Sequence, residues 1–212
     1  MKQYLRQILI PVIWEIIFIL SCFILPKEYF IYTNFAFYLG IILFFVIKKQ
    51  FSFSNLVKNL RFGKQFWQPV VYTILGLILA FAITSLLERI LPNLDDGMIG
   101  LQYDTWFKLI LFAVSTILLP PVAEELFYRK AMINFKNMNI LLVTTLVSAF
   151  LYALEHSLSW FGIIMCMIWA IPFSISYIKT KNVYVPMMAH LIVNIFGNGI
   201  TVIQVAGLLA EH

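Results

Sequence analysis

The chain has 212 residues, of which 62% are hydrophobic and only 12% charged, with a net charge of +5. That is more apolar surface than a soluble domain of this length can hide in one core, so lipid is expected to be its main solvent. The basic residues are spread over several short loops without a recognition motif, which speaks against nucleic acid as a partner and for the bilayer.

A bilayer core of about 30 Å asks for about 20 apolar residues per helix. Seven windows qualify, approximately Ile8 to Leu25, Tyr29 to Ile47, Trp67 to Leu87, Trp106 to Arg129, Ile140 to His156, Trp160 to Ile178 and Tyr184 to Ala206. The expected fold is an all-α polytopic bundle, with residues 1–212 as one membrane-embedded domain. The first span follows Lys2 and Arg6 as in a signal peptide. Leu20-Ser21-Cys22-Phe23 offers no small-x-small cleavage site before Pro26, so the span is read as a retained helix. Cys22 and Cys166 both lie in apolar stretches and are expected to pack, not to bridge or bind metal.

Short basic loops stay on the cytoplasmic side. A cytoplasmic N-terminus places Lys2, Arg6, Lys48, Lys49, Lys58, Arg61, Lys64, Arg129, Lys130, Lys136, Lys179 and Lys181 inside, 12 of the 15 basic residues. Lys27, Arg89 and Lys108 fall outside with Asp95, Asp96, Asp104, Glu211 and His212. Between the second and third spans, residues 51–66 alternate Phe and Leu with Lys58, Arg61 and Lys64, as an amphipathic helix on an anionic leaflet would.

Ionisable side chains inside spans cost a few kcal/mol each, so they face a cavity, a partner or a function. Glu15 stands alone in the first span. In the fourth, Pro120-Pro121 precede Glu124-Glu125-Leu126-Phe127-Tyr128-Arg129, and a new helical segment is expected to start at the prolines. Glu125 and Arg129, four apart, share a helix face, whereas Glu124 projects about 100° away and is left over. The plain alternative is that both acids cap a broken helix. His156 closes the fifth span beside Glu155, which is expected at the membrane interface, and His190 and Asn194 share one face of the seventh. At about 1.5 Å of rise per residue, Glu124, His156, His190 and Asn194 lie about 14–25 Å from the inner loops, compatible with one polar site.

The order Glu-Glu-x-x-x-Arg, aromatic-x-x-x-His, His-x-x-x-Asn resembles the CPBP family of intramembrane peptidases, which groups type II CAAX prenyl endopeptidases with bacterial Abi proteins. The motifs read Glu124 to Arg129, Tyr152 to His156 and His190 to Asn194, within residues 109–199. Tyr152 stands where the family usually has Phe. The family core is often drawn with eight helices, a count that Gly197-Asn198-Gly199 would approach by dividing the last span.

The resemblance implies hydrolysis of a peptide bond by an activated water, on membrane-associated peptides or leader sequences in a bacterial cell membrane. In that reading Glu124 is the general base, His156 holds or helps activate the water, Arg129 positions Glu125, and His190 and Asn194 stabilise the oxyanion. Two His, Glu and Asn include zinc donors, but no compact His-x-x-x-His pair is present, and no obligatory metal is expected. The alternatives are a non-catalytic membrane protein conferring bacteriocin immunity and, ranked last, a proton-coupled transporter.

Overall fold

The computed structural model describes residues 2–211, without the side chains of Lys2, Gln3, Leu5 and Arg6. Lys2, Arg6 and His212, which entered the orientation argument, therefore lie outside the described side chains. The described chain forms eight helices: α1 (Lys2–Ile24), α2 (Phe30–Ile47), α3 (Phe53–Leu60), α4 (Lys64–Ile90), α5 (Trp106–Ala131), α6 (Met138–His156), α7 (Trp160–Thr180) and α8 (Tyr184–Ala210). All but α3 are long and apolar enough to cross a membrane, and they coincide with the seven expected spans. Large apolar side chains such as Ile47, Phe196 and Ile203 remain exposed around the bundle, a surface that lipid covers.

Polar side chains start several of these helices. Thr105 accepts from the amide of Lys108, Asn137 from that of Ile140 and Ser159 from that of Gly162, each satisfying an otherwise orphaned N–H. Residues 51–66 divide differently from expectation. A short helix, α3, ends at Leu60, and Gly63, at φ +56°, lets the chain turn into α4 at Lys64.

α5 runs through the middle of the bundle, in contact with α2, α6, α7 and α8, while α7 packs on α4 and α6. Without a hydrophobic driving force between helices in lipid, close approach depends on small residues. Ala123, Ala153 and Ala170 are fully or almost fully buried at these crossings, and Gly76 of α4 lies against Pro172 of α7.

Pro120 and Pro121 do not begin a separate helix. α5 is continuous but widens into π-helical turns over Val114–Leu118 and again over Glu125–Ala131. The first of these lets the prolines fall in the opening turn of the α-helical stretch Leu119–Glu124, where a missing N–H is tolerated. One carbonyl still suffers. Thr116 O would pair with residue 120 in an α-turn or 121 in a π-turn, and neither has an N–H to donate. Instead it accepts from Asn194 Nδ2 at 2.9 Å and Asn198 Nδ2 at 3.1 Å. The expected break at Gly197-Asn198-Gly199 is absent, and α8 is unbroken to Ala210. A helical glycine costs only about 1 kcal/mol, and Asn198 is held by its bond to α5.

The loops gather on two faces. On the face of the α1 N-terminus, Tyr4 donates to Met132 O, Lys130 to Gln50 O and Tyr184 to Ser52 O. On the other face, the loop 91–105 is stitched to the corner between α6 and α7. Ile99 N donates to His156 O at 2.9 Å, Leu158 N to Gly97 O at 3.0 Å and Ser157 Oγ to Asp96 O at 2.6 Å. Gly162 permits this seam, since a Cβ there would stand 1.8 Å from Asp96 O. Gly162→Ala is expected to cost about 1–3 kcal/mol by overpacking and to release the loop. Thermal unfolding together with limited proteolysis at residues 95–100 checks this.

Candidate functional site

A cavity of about 360 Å³ lies among α2, α4, α5, α6, α7 and α8. Its polar wall consists of Glu124, Glu155, His156, His190 and Asn194, and its apolar wall includes Phe81 and Trp169. Met98, Ile99 and Leu101 of the stitched loop also line it. The expected residues of three separate spans are thus brought to one place.

Glu124 and Glu125, adjacent at the junction of α-helical and π-helical turns, face different partners. Both oxygens of Glu124 are buried: Oε1 accepts from Tyr38 at 3.0 Å, while Oε2 has no hydrogen-bond donor and lies 3.9 Å from His190 Nδ1. Glu125 Oε1 sits 3.2 Å from His190 Nδ1 and 3.4 Å from Arg129 Nη1. The expected pairing of Glu125 with Arg129 is present, as a charge contact without the alignment of a hydrogen bond.

Arg129 is fully buried, and aromatic faces solvate much of its charge. Its guanidinium carbon lies 4.7 Å from the Tyr152 ring centre and 4.9 Å from that of Phe173. A flat, weakly hydrated guanidinium suits such a cage, where an ammonium would not. Tyr152, the expected start of the second motif, therefore belongs to the cage, and its ring also lies 4.5 Å from that of His156.

The two histidines are oriented from behind. His156 Nδ1 lies 2.8 Å from Tyr152 O, and because a carbonyl only accepts, that nitrogen carries the hydrogen and Nε2 carries a lone pair. His190 Nδ1 faces the Glu125 carboxylate in the same way, and Phe173 stacks on its ring at 4.7 Å. Asn194, the third residue of the α8 motif, lines the cavity with one amide hydrogen committed to Thr116 O.

Glu155 and Glu15 are placed otherwise than the sequence suggested. Glu155 is buried, not interfacial: Tyr38 and Tyr128 both bond to it, because the α6–α7 corner is sunk beneath loop 91–105. Glu15 is not isolated, since its Oε1 lies 3.2 Å from the Tyr128 hydroxyl. The result is a chain Glu15, Tyr128, Glu155, Tyr38, Glu124 crossing from α1 to α5. Its four contacts need four hydrogens. The two phenols supply two, so the other two come from carboxyl groups, and only one of the three acids can be ionised while every contact keeps its hydrogen. Tyr38 and Tyr128 were missed in the sequence because nothing sets them apart from the other tyrosines in apolar spans. Asn34, which donates to Ser115 O at 3.4 Å beside the cavity, carries no sequence signal either.

Two groups of side chains bring atoms that can bind a metal close together. Glu124, Glu155 and His156 place one ligand atom each within 4.8 Å of one another, as do Glu124, Glu125 and His190. Both oxygens of Glu155 are hydrogen-bonded to phenols, and His190 Nδ1 faces Glu125. Nε2 of His156, Nε2 of His190 and Oε2 of Glu124 remain uncommitted, atoms of the types that zinc accepts.

Removing one side of a buried ion pair strands the other charge, at a cost of about 3–5 kcal/mol. Arg129→Ala is expected to lower the thermal midpoint strongly, and Arg129→Lys to restore little of it, as read by thermal unfolding in detergent. Tyr38→Phe keeps the packing but parts Glu124 from Glu155, with an expected loss of about 1–3 kcal/mol.

Comparison with curated proteins finds no match, and comparison with solved structures finds none. Residues 106–196, from the start of α5 into α8, match the family model described as Type II CAAX prenyl endopeptidase Rce1-like. All three motifs and the polar wall contributed by α5, α6 and α8 fall within that segment. Over this segment, which is less than half of its length, the chain is similar to the type II CAAX prenyl endopeptidases.

Proposed function

We propose that the chain is an intramembrane endopeptidase that hydrolyses a peptide bond with a water activated by Glu124 and His156. The observation that carries this reading is the convergence of Glu124, His156, His190 and Asn194, from three spans, on one cavity large enough for a short stretch of extended peptide.

In the reaction, water sits between Glu124 Oε2, which lacks a donor, and the Nε2 lone pair of His156. Glu124 takes one proton as water attacks the carbonyl carbon. The oxyanion that forms is stabilised by the free amide hydrogen of Asn194 and, when its ring carries a hydrogen on Nε2 as well as on Nδ1, by His190. Collapse breaks the C–N bond, and the proton held by Glu124 passes to the leaving nitrogen. The products are a carboxylate and an amine. Arg129 keeps Glu125 in place from behind, and the Tyr38 bond fixes the rotamer of Glu124. No step requires a metal.

A positioned general base contributes about 10²–10⁴-fold. Peptides released by membranes carrying the parent chain are to be compared with those from Glu124→Gln, an isosteric change at a site already hydrogen-bonded to Tyr38. Turnover is expected to fall by about that factor at unchanged expression, and removal of divalent ions to leave the parent active. Peptide release unaffected by Glu124→Gln, or protection against a bacteriocin that survives the substitution, would support a binding role instead.

A further inference from the structure

The cavity is not placed symmetrically between the two faces of the bundle. Its lining includes Met98, Ile99 and Leu101 of the 91–105 loop and His156 at the α6–α7 corner. Among the described residues, none from the loops on the α1 N-terminal face, 48–63, 132–137 and 181–183, lines it. The way into the site therefore lies on the side of loop 91–105, past Leu101 and Asn198, where Gly100 has open space around it.

Charge separates these faces sharply. The ten carboxylates of the sequence divide into four buried ones, Glu15, Glu124, Glu125 and Glu155, and six others: Glu28, Glu88, Asp95, Asp96, Asp104 and Glu211. All six lie on the face of loop 91–105 or at the helix ends that reach it. The opposite face carries the lysine-rich loops with no acid among the described residues. Lys and Arg in short loops hold a face in the cytoplasm, because moving them across the membrane is costly. The face on which the cavity opens is thus the non-cytoplasmic one. From Glu88 to Lys108 it carries four acids against two bases, a rim that favours neutral or basic peptide over acidic.

We propose that the substrate is a polypeptide segment presented from the non-cytoplasmic side, the membrane-anchored part of a translocated chain, and not the C-terminus of a cytoplasmic protein. This rests on the peptidase reading for the chemistry but on loop charge and cavity position for the side. The pinned strip 97–99 forms one wall of the approach and α8 the other. An extended segment lying between them brings its backbone to Glu124 and His156.

Two measurements test it separately. Single cysteines at Gly100, Val193 and Lys136 report on the loop, the cavity wall and the opposite face, each read as the gain over the parent chain with a small charged methanethiosulfonate that does not cross membranes. Gly100→Cys and Val193→Cys are expected to react in intact cells, and Lys136→Cys only after permeabilisation. Reaction of Val193→Cys from the Lys136 side only, or from neither side while Gly100→Cys reacts, would overturn the inference. Independently, new chain termini in cells expressing the parent, absent with Glu124→Gln, are expected to map to translocated segments. Termini confined to cytoplasmic segments would overturn the assigned side and leave the peptidase standing. No termini dependent on Glu124 would remove the peptidase reading and with it the substrate class, while the labelling would still decide on which side the cavity opens.

Discussion

Lipid supplies no hydrogen bonds, and this constraint shapes the centre of the molecule. Pro120 and Pro121 leave the Thr116 carbonyl without a partner from its own helix, and α8 answers with Asn194 and Asn198. That answer fixes the rotation of α8 against α5. Because His190 lies one turn before Asn194, the same rotation brings its ring to Glu125. The prolines thus do more than interrupt a helix: they create the acceptor that docks the helix carrying the third motif.

Charge follows the same logic. Four buried carboxylates share one buried guanidinium, and four isolated charges would be intolerable in a medium of low dielectric. The bundle resolves this by sharing. Arg129 engages Glu125 within an aromatic cage, and Tyr38 and Tyr128 string Glu15, Glu155 and Glu124 together with a fixed number of hydrogens. Glu124 is the member of that string whose second oxygen lacks a donor while its residue lines the cavity. A network that can carry one negative charge at any of three positions is suited to support a group that must accept and return a proton.

Much of this was legible in the sequence, and the reason is the bilayer. Long apolar windows and basic loops are strong signals, so the seven spans emerged with ends displaced by only a few residues. The three motifs also pointed to residues that meet at one cavity, since ionisable groups are conspicuous against apolar helices. Partners were harder to see. Glu155 looked interfacial because it closes a helix, but the α6–α7 corner lies beneath a loop whose path depends on Gly97, Gly162 and side-chain bonds that have no periodicity. Glu15 looked solitary because its partner, Tyr128, is 113 positions away and resembles other tyrosines. The π-turns, which decide where Glu124 and Glu125 face, leave no pattern that spacing arithmetic at 3.6 residues per turn can detect.

The central claim is that Glu124 and His156 act on a single water. The direct measurement is a kinetic cycle on the peptide whose release depends most on Glu124, comparing the parent, Glu124→Gln, His156→Ala and the double variant in liposomes. Groups that work as one unit are strongly non-additive, so the double variant should be no slower than Glu124→Gln alone. Losses that multiply, or a Glu124→Gln chain that keeps its turnover, would contradict the account.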